Sequence, residues 1–210
     1  MISLFLNTSS KYLNVAILKD DKVINEKNIF LDKDLSKMAL VNIKDLIEES
    51  EYKPIDIDEI VCVNGPGSFT GIRIGVTIAK SYAWSLDKKI VPVSNLFAMA
   101  TSIENSDYVV PIIDARRGYV FGAIYDKGYN TVLEDSYIKL DKLKEEVNKL
   151  SGKVTFVSLD EFDFDTIKYI PNINNLFKYL KKEYVDNFTF VPNYLKRTEA
   201  EEKLSDKENK

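Results

Sequence analysis

Asn64-Gly65-Pro66-Gly67-Ser68-Phe69-Thr70-Gly71-Ile72-Arg73-Ile74-Gly75 divides two different periodicities. Before it, Ile60-Val61-Cys62-Val63 is a short apolar run of strand type; after it, apolar residues recur at helical spacing to about Leu86. The segment reads as strand, glycine loop and helix, a unit of α/β folds. The loop is not a Walker loop, because no Gly-Lys-Ser/Thr follows. It is not a dinucleotide fingerprint either, because Thr70 takes the place of the third glycine. Two readings of it stay open. Gly65, Gly67, Ser68, Thr70 and Arg73 could hold an anion on backbone N–H groups at the helix start. The plainer reading is a tight turn with Ser68 or Thr70 as N-cap.

Toward the amino terminus, residues 2–6, 12–18 and 23–30 read as three strands of a meander joined by polar turns, and residues 35–49 as a helix. Toward the carboxyl terminus come a helix to about residue 86, a strand at 90–93, and a helix that Asn95 caps and that runs to about 103. The pattern then restarts. Residues 108–113, 119–125 and 131–140 read as strands, 141–150 as a helix, 154–157 as a strand and 173–184 as a helix. Residues 7–17 align with 114–124, pairing Tyr12 with Tyr119, Ala16 with Ala123 and Ile17 with Ile124 around a polar turn. This predicts two similar α/β subdomains, residues 1–104 and 105–195, each a mixed sheet with helices, followed by a polar tail at 196–210.

Composition narrows the chemistry. The 210 residues are 45% hydrophobic and 30% charged, enough apolar material for a core without a cofactor or disulfide. Histidine is absent, which removes the commonest general base and transition-metal ligand and with it Ser-His-Asp, Cys-His and histidine-zinc mechanisms. No metal site is expected. Cys62, the only cysteine, reads as a buried, inert thiol. A net charge of −4 argues against holding nucleic acid alone, so any RNA role would lean on a partner. Met1-Ile2-Ser3-Leu4-Phe5-Leu6 lacks the basic lead of a secretory signal, and no apolar run approaches the roughly 20 residues of a membrane span. A cytoplasmic location without membrane attachment is the expectation.

Gly71, Gly75, Ala79 and Ala83 recur every fourth residue and lay a stripe of small side chains on one helix face, where another helix could approach closely. The stripe is expected to be open in the free chain. The preceding helix likewise has more apolar positions (Leu35, Met38, Ala39, Leu40, Val41, Ile43, Leu46, Ile47) than one buried stripe needs, which points to a partner.

The run at residues 65–75 resembles the TsaB (YeaZ) proteins of bacterial tRNA threonylcarbamoyladenosine synthesis. Leu4-Phe5-Leu6-Asn7-Thr8-Ser9, Pro111-Ile112-Ile113-Asp114-Ala115-Arg116-Arg117-Gly118 and Pro192-Asn193-Tyr194-Leu195-Lys196-Arg197 resemble further family stretches in the same order. The resemblance implies a duplicated actin-like (ribonuclease H-like) fold and a non-catalytic subunit that docks and activates the catalytic paralogue TsaD. It implies docking through the first two helices, here Leu35, Met38, Ala39, Asn42, Gly71, Ile72, Gly75, Val76, Ala79 and Ala83. It also implies TsaE as a further partner, tRNA contact only within the complex, and ATP or ADP only there; a further reading, from the small-residue face itself, is a self-associating structural protein that forms a homodimer through the same helices. Asn7, where the family usually has Asp, and Leu35-Ser36, where a His-Ser pair is frequent, depart from the pattern and weaken any claim of autonomous metal or nucleotide chemistry. The rival is an independent ATPase, kinase or protease-like enzyme of the same fold. The bulky turn Ala115-Arg116-Arg117 and the scarcity of glycine after Gly128 argue against it.

Overall fold

The computed structural model of the protein describes residues 1–31 and 34–196. The first sheet begins with an antiparallel meander of β1 (Ile2–Asn7), β2 (Tyr12–Lys19) and β3 (Lys22–Phe30). Helix α1 (Leu35–Glu49) crosses to β4 (Glu59–Gly65), and α2 (Phe69–Leu86) to β5 (Lys89–Ser94). The order is β3-β2-β1-β4-β5, with β4 parallel to β1 and β5 parallel to β4. After α3 (Asn95–Ala100) the plan repeats. β6 (Tyr108–Asp114), β7 (Tyr119–Asp126) and β8 (Thr131–Lys139) form a meander, α4 (Leu140–Val147) leads to β9 (Val154–Ser158), and β10 (Ile167–Lys168) precedes α5 (Ile173–Tyr179). The second sheet, β8-β7-β6-β9-β10, has the order of the first with each strand replaced by its counterpart. The duplicated α/β plan read from the sequence is present. Tyr12 opens β2 as Tyr119 opens β7.

Burial explains the element sequences. Every residue of β1 is buried, because Leu4 and Leu6 face the cluster under α1 and α2 while Phe5 faces one formed with α3 and α5. A strand covered on both faces reads as a continuous apolar run, whereas the edge strand β3 alternates. Helix α3 lies between the sheets: Ala98 packs on the first, and Leu96, Met99 and Ala100 pack against Val109, Ala123 and Val157 of the second. Helix α4 covers the far side through Leu143.

Three features differ from the sequence reading. Ser94, not Asn95, caps α3, its Oγ accepting from the backbone N–H groups of Leu96 and Phe97. Asn95 is buried and donates to the Pro66 carbonyl at 2.9 Å. The last helix ends at Tyr179, because the chain leaves as an extended strap over residues 180–196 whose Val185 bridges to Ile90. Helix α5 and the strap pack on the first sheet, so the end of the segment assigned to the second subdomain is joined to the first. Finally, α2 has no counterpart, since residues 159–166 between β9 and β10 contain no helix. Of the expected polar tail, all but Lys196 lies outside the described residues, as does Arg197.

Asp135 of β8 ties the halves together, accepting from Ser94 Oγ at 2.5 Å and from the Tyr125 hydroxyl at 3.0 Å. Burial pushes its carboxyl above the usual carboxylate range, against the opposing effect of those two hydroxyls. An acid with a raised folded pKa holds its proton more tightly in the folded chain. Its contribution is therefore full below the ordinary carboxylate value and is lost as pH rises through the raised one. Asp135→Asn, which keeps an acceptor and no charge, should be at least as stable as the parent near neutral pH. It should also flatten the dependence of melting temperature on pH through the mildly acid range. A lower melting temperature for the variant at neutral pH would contradict this.

Candidate functional site

Where β1 and β6 end, the halves enclose a cleft of about 750 Å³. Ser9, Ser10, Lys11, Gly67, Ser68 and Thr70 line it from the first half, with Asp34 and Leu35 at the head of α1 and Asn95 below; Ile113, Asp160 and Lys168 line it from the second. The two turns at its base are built alike. Asn7 Oδ1 accepts from the Ser9 N–H at 2.9 Å and Ser9 Oγ at 2.6 Å, and Asp114 Oδ1 accepts from the Arg116 N–H at 2.8 Å. Each residue caps its own turn two positions on. The amide at position 7 thus does what a carboxylate could do there, while carrying no charge into the cleft. Among the described residues no three His, Cys, Asp or Glu side chains converge as a metal site.

The glycine loop adopts the tight-turn form. Gly65-Pro66 is a cis peptide, and Gly67 has φ +156°, with the Ser9 carbonyl where a side chain would begin. The Ser68 N–H donates to that carbonyl at 2.7 Å, and Ser68 Oγ caps α2 by accepting from the Gly71 N–H at 3.2 Å. Of the five residues considered for an anion, Gly67, Ser68 and Thr70 line the cleft and two do not. Gly65 packs under the Asn193 carbonyl, and Arg73 turns outward, its guanidinium 3.7 Å from the Phe69 ring centre and its Nε donating to the Tyr194 hydroxyl at 2.7 Å.

The small-residue stripe is not open in the free chain. Gly71, Gly75, Ala79 and Ala83 are buried against the protein's own first half. A Cβ at Gly71 would fall inside contact distance of the Thr8 carbonyl oxygen, and one at Gly75 would strike Thr8 Oγ1. The stripe lets α2 lie on the β1–β2 turn and on β4, and Thr8 Oγ1 fastens it by donating to the Gly71 carbonyl at 2.7 Å. Ala39, Ile72 and Val76 are buried too. Of the residues assigned to docking, Met38 is exposed and Leu35 and Asn42 are half-buried. Leu40 and Val41, named in the surplus of the first helix but not among the docking residues, point outward, as does Trp84, which the reading missed. Their signal was the surplus of apolar positions in each helix. Cys62 is fully buried, which pushes its thiol far above the ordinary value. Among the described residues no helix is long and apolar enough to cross a membrane.

Comparison with known proteins adds to this geometry. A family model described as TsaD, tRNA N6-adenosine threonylcarbamoyltransferase, matches residues 30–191. A Bacillus subtilis protein named tRNA threonylcarbamoyladenosine biosynthesis protein TsaB is 34% identical over 97% of this chain and 97% of its own length. The chain belongs to the TsaB family. The Escherichia coli TsaB protein is 29% identical over 71% of this chain and 68% of its own. YeaZ from Pseudomonas aeruginosa superposes with a TM-score of 0.70 over 92% of this chain and 99% of that one, a likeness of fold at 20% identity. The TsaB resemblance read from residues 65–75 and its flanking stretches is therefore correct, and the actin-like duplication is shared with a solved YeaZ protein.

Proposed function

We propose that this TsaB-family chain serves tRNA threonylcarbamoyladenosine biosynthesis as a non-catalytic cytoplasmic subunit that docks and activates a catalytic TsaD paralogue. The name of the Bacillus subtilis relative supports the process, and the match to the TsaD model supports a partner of related fold. The docking role rests on one observation. Met38, Leu40 and Val41 on α1 are 39%, 58% and 50% exposed, and Trp84 on α2 is 72% exposed, all on the helix layer that covers one face of the first sheet. Large apolar side chains held outward on a rigid layer are what a partner's helices would cover. A second copy of the chain would compete for that layer, TsaE would join the larger assembly, and ATP or ADP and tRNA would be bound by the complex. The use of Asn7 and Asp114 as turn caps supports a subunit without chemistry of its own.

The test is titration of the TsaD paralogue from the same cell against the parent chain and Leu40→Glu/Val41→Glu. Two charges buried in an apolar seam should weaken binding at least tenfold, a loss of about 1.4 kcal/mol or more. The exposed positions leave the melting temperature nearly unchanged. Equal affinity of a normally folded variant would overturn the docking face.

A further inference from the structure

We infer that the chain carries an RNA-contacting ribbon of cations and aromatic rings running from the start of α2 over the end of the strap to β7 and β8. The inference rests on the tRNA role proposed above and assigns part of that contact to this subunit. At one end, Arg73 lies on the Phe69 ring, and Phe69 stacks on Tyr194 of the strap at 5.1 Å between centres. Two residues on, Lys196 Nζ sits 5.2 Å from the Tyr137 ring centre. Tyr137 stacks on Tyr119 at 4.7 Å with an interplanar angle of 12°, and Lys139 Nζ lies 5.9 Å from the Tyr119 centre. Arg116 and Arg117 stand at the turn just before Tyr119.

Charge decides what such a surface fits. The chain as a whole is at −4, yet Arg73, Arg116, Arg117, Lys139 and Lys196 form no ion pair among the described residues. Unneutralised cations spaced along stacked rings suit a chain of phosphates with unstacked bases, since phosphates take the cations and bases extend the ring stacks. The β6–β7 turn carries a second sign. Arg116 and Arg117 both have left-handed backbone, φ 66° and 57°, where glycine is the comfortable residue. The guanidinium groups stand there in spite of the backbone, outside the core and outside any ion pair.

The test uses the complex with the TsaD paralogue and an unmodified transcript of a tRNA that the same cell modifies. Dissociation constants are measured over a salt series for the parent, for Lys139→Glu/Lys196→Glu, and for Lys19→Glu/Lys22→Glu. The last pair makes the same charge change at the exposed β2–β3 turn, at the ends of those strands opposite the cleft and away from the ribbon. The ribbon pair should weaken tRNA binding about tenfold or more and lower the slope of log affinity against log salt by about 2, while the β2–β3 pair leaves both near the parent. Arg116→Gly/Arg117→Gly separates contact from folding: glycine suits the turn, so this variant should melt no lower than the parent yet bind tRNA more weakly. Unchanged affinity and slope for the ribbon pair, or an equal loss in the β2–β3 pair, would overturn the inference. So would ribbon variants that weaken paralogue binding and spare tRNA. Should the parent chain fail to assemble with the paralogue, the docking proposal fails, and the same variants are compared on the chain alone with the same transcript.

Discussion

Gly71→Ala should destabilise the protein by about 3 kcal/mol and lower its melting temperature by about 6–12 °C, although it adds one methyl group. The methyl would start inside contact distance of the Thr8 carbonyl oxygen, a backbone atom with no rotamer to escape through. Thr8 cannot withdraw easily, because its own Oγ donates to the Gly71 carbonyl and its neighbour Ser9 accepts from the Ser68 N–H. Alanine is otherwise the better helix residue than glycine by about 1 kcal/mol, so a stabilised variant is the result that would refute the packing account. Differential scanning calorimetry decides between them. Paralogue binding should fall only in proportion to the unfolded fraction, since the substituted face is covered in the free chain.

Lys182→Ala is expected to cost about 3–5 kcal/mol, the range for removing one partner of a buried ion pair. Glu59 is 1% exposed and accepts from Lys182 Nζ at 2.7 Å, from Ser3 Oγ at 2.6 Å and from the Tyr184 hydroxyl at 2.8 Å, while Lys182 also reaches Asp21 at 2.6 Å. Burial works against the ammonium charge of Lys182, but the hydrogen bonds to Asp21 and Glu59 hold it above the usual lysine value. For a base raised in the folded state, the contribution is full below the ordinary value of 10.5 and is lost as pH climbs past the raised one. The Lys182→Ala deficit should therefore stay constant through neutral pH and shrink only in strong alkali. Glu59→Gln combined with Lys182→Met, which removes both charges at similar volume, should recover most of the loss. Urea unfolding of the single and double variants measures this, and a single variant within about 0.5 kcal/mol of the parent would remove the strap's anchor from the account.

The sequence disclosed the duplicated plan because residues 7–17 and 114–124 keep the same turn between the same strands, and because apolar runs on β1 and β6 are long enough to be seen unaided. It disclosed α1 to the residue, since its apolar spacing holds from Leu35 to Glu49. The cleft was half legible. Gly67, Ser68 and Thr70 were found from the loop, but Asp34, Asp160 and Lys168 reach it through tertiary folding alone. The stripe on α2 was visible and was assigned to the wrong side. Small residues at every fourth position say that something comes close, and only Thr8 and Cys62 in the fold say that it is the chain itself. The strap escaped notice because residues 180–184 were read as the end of the last helix and residues 185–196 have neither period; the structure of both comes from Glu59, Ile90 and Asn64, far away in sequence.

That strap has a consequence for how the protein is made. Its residues leave the ribosome after both sheets have emerged, yet they complete the half whose strands emerged first. Until then Glu59 lacks Lys182 and Tyr184, and Ile90 lacks the backbone of Val185. Domains synthesised early usually close while the rest is still being translated. Here the amino-terminal half lacks these partners, its edge strand β5 unbridged by Val185, until the strap that follows the second sheet has emerged, so the two halves are completed together rather than in turn.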